Sequence, residues 1–147
     1  MEIIRGKDGL RPQELIALYD SSGWGKASDY TPEWVSRSIE NTTIIVQSRA
    51  NGRLVGILRA FSDGVSTNHL SEILVHPAFR GQGIGTALMQ AFLAGQPPTS
   101  LWVVGFEENI GFFERFGLKR RELLRAWSAS SKDWKTALES LNPADAR

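Results

Sequence analysis

Three glycines at alternate positions, preceded by an arginine, form the most chemically specific stretch of this 147-residue chain. Gly81, Gly83 and Gly85 lie between an apolar strand-like run and a helical pattern, and an arginine, Arg80, stands directly before them. The first turn of a helix has unpaired backbone N–H groups and a partly positive end, and glycine has no Cβ atom to hold an anion at a distance. Together with the guanidinium group, this loop is predicted to bind phosphate groups.

Two common nucleotide-binding motifs fit this loop poorly. A Walker A loop needs a lysine after its last glycine, whereas Thr86 follows Gly85 directly. The dinucleotide fingerprint needs the spacing G-x-G-x-x-G, whereas the chain has G-x-G-x-G, and no acidic residue lies at the ribose-binding distance. The structural alternative is a tight turn that packs a strand against a helix, for which one glycine would be enough.

The surrounding elements are typical of a mixed α/β protein. An Asn51-Gly52 pair predicts a β-hairpin, and the apolar spacing from Ile84 to Phe92 predicts an amphipathic helix after the glycine loop. Strands are predicted at Glu2–Arg5, Thr42–Ser48, Arg53–Phe61, His69–Val75, Ser100–Val104 and Lys119–Trp127. Further helices are predicted from Pro12, from Thr31-Pro32, over Asn109–Phe116, and in a last segment with Trp134, Ala137, Leu138 and Leu141.

Composition and charge exclude several classes of protein. With 41% hydrophobic and 22% charged residues and a net charge of +1, the chain is not expected to bind nucleic acid. The absence of cysteine excludes disulfides, thiolate metal sites and a covalent cysteine intermediate, and His69 and His76 lack helical histidine partners, so no metal is expected. No apolar run approaches the roughly 20 residues of a membrane span, and no signal core is evident, so we expect no membrane partner and a cytoplasmic location.

The motif Arg80-x-x-Gly83-x-Gly85, in its place between a strand and a helix, resembles the signature of the GNAT superfamily of acyl-CoA-dependent N-acyltransferases. The segment IGFFERFGL (Ile110–Leu118) is similar to the later helix of that family, and LVGILRAFSDG (Leu54–Gly64) is similar to the strand before the central one. The resemblance covers most of residues 1–118. It implies a single-domain α/β (α+β) GNAT-like fold over 1–147, with a central twisted mixed β-sheet flanked by helices and residues 126–147 as a divergent extension or closing elements.

The resemblance implies acetyl-CoA as the cofactor, with its pyrophosphate on the glycine loop and its pantetheine arm along the central strand. Many family members place a tyrosine in the late helix as general acid, but Phe113 stands at that position and cannot donate a proton. Which group acts as the general acid is therefore left open. An acid is not essential, because a thiol with a pKa of about 8.5 can leave as its anion. The residues implied in cofactor binding are Ile73, Leu74, Val75, Arg80, Gly81, Gln82, Gly83, Ile84, Gly85, Thr86 and Phe113.

Without a cysteine, acyl transfer to an amine is expected to proceed by direct attack in a ternary complex. The family implies a backbone N–H near Val75 as the oxyanion donor. An alkylamine with a pKa of about 10 arrives protonated and needs a base, for which His69 and Glu72 are both candidates. Strand alternation places His69, Ser71, Ile73 and Val75 on one face and Glu72 on the other, unless a bulge intervenes.

The acceptor site of this family lies among the early helices and the loops around the central strand. Trp24, Tyr30 and Phe61 are predicted to form its wall, which favours an apolar or aromatic amine, whereas Trp34 is assigned to core packing. The predicted function is N-acetylation of a primary amine. The predicted acceptor is a small amine, with or without an aromatic ring, or an amino acid. The alternatives are a protein N-terminus or lysine as acceptor, and a CoA-binding module without catalysis. Dimers are common in the superfamily, so a homodimer is allowed.

Overall fold

The computed structural model describes residues 1–140, which form a five-stranded sheet with helices on both faces. The strands lie in the order β1-β2-β3-β4-β5; β4 and β5 are parallel and the other neighbours are antiparallel, so the predicted mixed sheet is confirmed. The strands are β1 (Glu2–Arg5), β2 (Ile44–Ala50), β3 (Arg53–Ser62), β4 (Thr67–Val75) and β5 (Ser100–Val103). The helices are α1 (Pro12–Ser22), α2 (Pro32–Asn41), α3 (Ile84–Ala94), α4 (Ile110–Glu114) and α5 (Ser131–Ser140). None of these helices is long and apolar enough to cross a membrane.

Local sequence signals set the ends of the early elements. Thr31 caps α2, because its Oγ1 accepts a hydrogen bond from the N–H of Trp34 at 3.2 Å. Asn51 and Gly52 have φ angles of 49° and 77°, the left-handed backbone that the tight turn between β2 and β3 requires. Both predictions are confirmed, and both follow from the preferences of residues adjacent in the sequence.

The sheet buries one apolar cluster on each face. The α1/α2 face, where α1 and α2 pack, buries Leu15, Leu18, Val35, Ile57 and Leu74 among others. The α3 face, where α3 packs, buries Val55, Leu58, Leu70, Leu88 and Phe92 among others. The central strands β3 and β4 are therefore covered on both sides, and a side chain of either strand is directed to one cluster or the other.

A bulge in β4 changes which of its side chains face α1. Arg59 pairs with Glu72 and Ala60 pairs with Leu70, so Ser71 has no partner on β3. Strict alternation through Ser71 is therefore wrong, and with it the prediction that His69 shares a face with Ile73 and Val75. Leu70, Ile73 and Val75 all lie on the α3 face, whereas Leu74 lies on the α1/α2 face. Both His69 and Glu72 consequently face α1 and α2.

The strand predicted at Lys119–Trp127 is wrong. The segment between α4 and α5 has no regular structure, and its Leu123 and Trp127 are 97% and 88% exposed. A strand needs a partner, and β5 stays at the edge of the described sheet without one. The last predicted helix is present as α5, with Trp134 within it, while Leu141 of the predicted stripe lies outside the described residues.

A largely buried ion pair ties α1 to β2. Arg49 Nη1 lies 3.0 Å from Glu14 Oε1, and Arg49 Nη2 donates to Glu14 Oε2 at 3.0 Å. These hydrogen bonds lower the pKa of Glu14 from 4.5 to about 2 despite partial burial, which acts in the opposite direction. Because the pKa of the folded state lies below that of the unfolded chain, the pair stabilises the fold above about pH 4.5, and this stability is lost as the pH falls toward 2.

Replacement of Glu14 by Gln is expected to lower the free energy of unfolding by about 2 kcal/mol at neutral pH, because the carboxylate charge beside Arg49 is lost. Urea unfolding at about pH 7 and about pH 3 checks this, since the deficit should shrink at the lower pH, where the wild-type carboxyl is itself closer to protonation. Glu33→Gln, at an exposed position in the first turn of α2, is the control. An equal deficit at both pH values would contradict the assignment.

Candidate active site

The glycine loop leaves β4 through a short 3₁₀ turn at Pro77–Phe79 and enters α3. Gly81 and Gly83 have φ angles of 76° and 79°, in the left-handed region that favours glycine. Within residues 1–140, no atom beyond the adjoining residues lies within 4 Å of where a Cβ would stand on either. The first intrahelical bond of α3 runs from the N–H of Ala87 to the carbonyl of Gly83 at 2.9 Å. The N–H groups of Ile84, Gly85 and Thr86 precede that bond and have no acceptor within residues 1–140. Open space in front of unpaired amides fits a bound diphosphate.

Side chains on either side of the loop fix its shape. Arg80 Nε donates to the carbonyl of Val75 at 3.1 Å, which ties the loop to the end of β4. Gln82 Nε2 donates to the carbonyl of Ala78 at 3.4 Å. His76 Nδ1 accepts a hydrogen bond from the N–H of Ala78 at 3.2 Å, so this histidine caps the short turn and has a structural role. The predicted contacts of Arg80 and Gln82 with a phosphate remain predictions, and both side chains also hold the loop itself.

Strand β5 separates from β4 after only four residue pairs. The pairing runs from Thr67 to Leu70, and β4 beyond that point pairs only with β3. The N–H of His76 donates to the carbonyl of Val55 at 2.9 Å, and main-chain groups of a strand point alternately to its two sides, so those of Ile73 and Val75 point away from β3. The N–H of Val75 has no acceptor among the described residues. The gap beside β4 therefore offers free main-chain groups at two of the three predicted positions.

Leu74, the third predicted position on β4, is oriented differently. It pairs with Ile57 of β3, and by the same alternation its main-chain groups face that strand. Its side chain is buried in the cluster of the α1/α2 face. Leu74 is thus turned away from the gap, because it stands between two residues that face it.

Two phenylalanines of α4 lie beside the loop, and they occupy different places. A Cβ on Gly85 would stand 3.3 Å from the ring of Phe112, so the third glycine of the motif allows this ring to lie against the start of α3. Phe113 instead packs over Gly105 and makes an edge-on contact with Phe112 at 5.2 Å between ring centres. Phe112, which sequence analysis did not assign to the site, is the ring in contact with the loop. Sequence analysis had assigned Gly85 only to phosphate binding, and its closeness to Phe112 appears only in the folded chain.

Glu72 is held in a buried polar network on the α1/α2 face. Its side chain is 8% exposed, and its Oε1 accepts a hydrogen bond from the hydroxyl of Tyr19 at 2.8 Å. Arg59 Nε lies 3.3 Å from the same Oε1, as an ion pair without hydrogen-bond geometry. Arg59 Nη1 donates to Ser38 Oγ of α2 at 2.8 Å. Neither Tyr19 nor Arg59 was identified from the sequence, since both come from elements distant along the chain.

Burial dominates the electrostatics of this network. Desolvation raises the pKa of Glu72 above its usual range, and the opposing effects of Arg59 and the Tyr19 hydroxyl are smaller. Burial and the neighbouring carboxylate raise the pKa of Tyr19 strongly, so Tyr19 stays protonated and acts as a donor. A carboxylate with a raised pKa is a stronger base than an exposed one, which suits proton removal from an ammonium group.

Aromatic side chains surround the Tyr19 end of the network. Tyr19 lies 5.1 Å from Tyr30 and 6.5 Å from Trp24 between ring centres, and Tyr30 lies 6.0 Å from Trp34. The hydroxyl of Tyr30 donates to the carbonyl of Trp24 and closes the turn. Trp34 is 59% exposed, so its assignment to the core is wrong, because Val35 and Ile39 fill the buried side of α2 instead. Trp24 and Tyr30 thus lie close together, and the exposed ring of Trp34 lies beside Tyr30.

The two remaining predicted residues, Phe61 and His69, lie in one row across the sheet with Trp102, which sequence analysis did not assign to the site. Phe61 of β3 pairs with His69 of β4, and His69 pairs with Trp102 of β5. All three face the α1/α2 side, and Phe61 and Trp102 are 40% and 49% exposed. His69 is exposed and makes no side-chain hydrogen bond within residues 1–140. In the same part of the chain, no group of three histidine, aspartate or glutamate side chains is placed to hold a metal ion.

The order of elements, the open glycine loop and the gap between β4 and β5 define an acyl-CoA-binding type of fold. In agreement, the sequence model for the acetyltransferase (GNAT) domain matches residues 40–120, more than half of the chain. The protein therefore belongs to the GNAT acetyltransferase family, whose members use acetyl-CoA. The open positions at Gly81 and Gly83 and the free amides that follow them fit this cofactor.

Known proteins resemble the chain in sequence or in fold. An uncharacterised N-acetyltransferase of Methanocaldococcus jannaschii is 30% identical over 108 residues, which cover 65% of this chain and 46% of that protein. The chain spans about half the length of the curated relatives that it matches. A GNAT family acetyltransferase from Streptococcus pneumoniae superposes with a TM-score of 0.69 at 20% identity, over 88% of this chain and 98% of that one. An aminoglycoside 6′-N-acetyltransferase in complex with coenzyme A superposes with a TM-score of 0.51 at 22% identity, over 63% of this chain and 53% of that one. At these identities the two structures show a shared fold.

Proposed function

We propose that the protein transfers an acetyl group from acetyl-CoA to a primary amine by direct attack in a ternary complex. The observation that carries the proposal is the geometry of β4. The free amides of the glycine loop follow one end of the strand, and the buried carboxylate of Glu72 lies on it three residues before Val75. A single strand thus connects a phosphate-binding loop to a base. The chain is proposed to form one such domain, in which residues 126–147 are either a divergent extension or closing elements.

In this mechanism the loop amides from Gly81 to Thr86 would hold the diphosphate, and the free main-chain groups of Ile73 would hold the pantetheine arm. The carbonyl of Val75 already accepts a hydrogen bond from Arg80, which leaves the N–H of Val75 for the thioester. The N–H of Val75 stabilises negative charge on the thioester oxygen, a contribution of about 2.7–4 kcal/mol for one such donor. Glu72 accepts the proton of the acceptor ammonium group, with His69 on the same face as the alternative base. Phe113 offers no proton, so the thiolate of coenzyme A would leave as the anion. Its conjugate acid has a pKa of about 8.5, so it would then take up the second proton, which the nitrogen loses as the amide forms.

The acceptor is proposed to be a small amine that carries an apolar or aromatic group. Trp24, Tyr30 and Trp34 present aromatic surface beside the ring of Tyr19, whose hydroxyl contacts Glu72. Phe61 adds a further exposed ring on the same face of the sheet. An ammonium group is attracted both to the carboxylate and to the faces of such rings. Phe113 favours the second candidate, a CoA-binding module without catalysis, because the position of the usual general acid holds no ionisable group.

A thiol-release assay with acetyl-CoA and a panel of amines tests this function. The panel contains arylalkylamines, aliphatic amines of the same chain length, amino acids and lysine-containing peptides, with a reaction without acceptor as the blank. We expect thiol release with the arylalkylamines at a higher kcat/KM than with their aliphatic counterparts. Saturable acetyl-CoA binding without thiol release for any acceptor would support the module instead. Thiol release with the peptides alone would indicate that the acceptor is an amine group of a protein.

A further inference from the structure

We propose that Tyr19 and Arg59 are positioning residues that hold Glu72 by one carboxylate oxygen and leave the other free to accept the proton of the amine. This inference rests on the proposed function. Tyr19 Oη lies 2.8 Å from Glu72 Oε1, and Arg59 Nε lies 3.3 Å from the same oxygen. Glu72 Oε2 accepts no hydrogen bond from any described residue. One side of the carboxylate is therefore anchored, and the other is available.

The direction of the hydrogen bonds follows from the groups involved. Arg59 Nη1 lies 3.4 Å from the hydroxyl oxygen of Tyr19, and a guanidinium group can only donate. The Tyr19 hydroxyl accepts from Arg59 and must direct its own hydrogen to Glu72 Oε1. Ser38 Oγ of α2 accepts a hydrogen bond from the same Nη1 at 2.8 Å. Three separate elements, α1, α2 and β3, therefore fix the orientation of one carboxylate.

The bulge at Ser71 is the second observation that points to Glu72. If β4 ran regularly through Ser71, Glu72 would share a face with Leu70 and point into the apolar cluster under α3. With it, Glu72 lies opposite Arg59 and below Tyr19. A break in the sheet register thus brings the Glu72 carboxylate beside the donor groups of Arg59 and Tyr19. A residue that served only in packing would need no such polar partners.

The second buried Arg–Glu pair of the chain shows what a structural pair looks like. Arg49 donates to both carboxylate oxygens of Glu14, and the pKa of Glu14 falls to about 2. Arg59 approaches only one oxygen of Glu72 and does so without hydrogen-bond geometry, and the pKa of Glu72 is raised. The two pairs have the same residue types and opposite effects, so the arrangement around Glu72 is suited to proton exchange rather than to a fixed charge.

The groups that face Glu72 and can affect its titration come from each element packed against it. Tyr19 comes from α1, Arg59 from β3, and Tyr30 from the segment before α2, with its ring against Tyr19. His69 lies on the same face of β4, beyond the bulge at Ser71. Of these, Arg59 and Tyr19 stabilise the ionised carboxylate, so the removal of either should make Glu72 harder to ionise.

The test measures kcat/KM against pH for the wild type, Tyr19→Phe and Arg59→Met with the most active amine of the panel. We expect the midpoint of the acidic limb to rise by about half a pH unit or more in Tyr19→Phe and by about one unit or more in Arg59→Met, because the base ionises later. Arg59→Lys keeps the charge and should restore part of the shift. Arg49→Met, which removes the other buried ion pair, is the matched control and should leave the midpoint unmoved.

A ¹³C NMR titration of the Glu72 carboxyl in the same variants gives a readout that does not depend on turnover. Shifted titration in Tyr19→Phe and Arg59→Met, but not in Arg49→Met, supports the positioning roles. An active wild type with unmoved midpoints in both assays overturns the positioning roles and leaves the proposed function standing. An inactive wild type across the whole panel overturns the proposed function, and the role of Glu72 as base falls with it.

Discussion

A Gly83→Asp variant is expected to bind acetyl-CoA at least about 100-fold more weakly than the wild type, a loss of about 2.7 kcal/mol. A side chain at Gly83 would project into the open space in front of the first turn of α3, since within residues 1–140 no atom beyond the adjoining residues lies within 4 Å of its Cβ position. Gly83 directly precedes the first turn of α3, so an aspartate there would place its charge at the partly positive end of the helix. The new carboxylate would thus stand where the diphosphate is proposed to bind and would also repel its charge.

The Gly83→Asp variant is expected to lose binding while it still folds. The left-handed backbone at Gly83 opposes most side chains, but aspartate is one of the few that adopt it, and its charge is favourable at a helix N-terminus. Gly52→Asp is the matched control, since Gly52 has a similar φ of 77° and equally open surroundings in the β2–β3 turn. Isothermal titration with acetyl-CoA is the measurement, and Gly83→Ala separates steric from charge effects. An affinity in Gly83→Asp equal to that of the Gly52→Asp control would show that the cofactor is held elsewhere.

The parts of the structure that were predictable from the sequence are those set by residues adjacent along the chain. The cap at Thr31, the hairpin turn at Asn51-Gly52 and the glycine loop before α3 each depend on preferences expressed within a few residues. The mixed sheet with flanking helices followed from the order of such segments together with the family resemblance. Local chemistry therefore predicted the glycine-loop half of the candidate site.

The half of the candidate site around Glu72 depends on contacts between distant residues. The bulge at Ser71 exists only as a mismatch with β3, and the same stretch of β4 read alone gives an unbroken alternation. Tyr19 reaches Glu72 across 53 positions of sequence, so no motif joins them. The spacing of Trp34 on an apolar stripe predicts burial, yet the sheet has room only for Val35 and Ile39 of that helix. The segment after Lys119 contains residues that favour a strand, but it does not pair with any strand of the described sheet and forms no strand there.

The replacement of Glu72 by Gln is expected to lower kcat/KM by about 10²–10⁴-fold at neutral pH, the usual contribution of a general base. Glutamine keeps the shape of the side chain and can still accept a hydrogen bond from Tyr19, but it cannot take a proton from an ammonium group. The affinity for acetyl-CoA should stay within about two-fold of the wild type, because Glu72 faces α1 and the loop amides are untouched. Steady-state kinetics from acidic to alkaline pH, with titration of acetyl-CoA, measures both quantities.

The pH profile of the Glu72→Gln variant distinguishes the two candidate bases. If Glu72 is the base, the variant loses the acidic limb, and its rate recovers only at high pH, where the amine is already neutral. His69→Ala removes an exposed side chain that makes no hydrogen bond within the described residues, so we expect less than about a 10-fold loss and an unchanged limb. The opposite result, a small effect at Glu72 and a lost limb at His69, would assign the base to the row formed by Phe61, His69 and Trp102. Glu72 would then have the same structural role as Glu14, the other carboxylate held by a buried arginine.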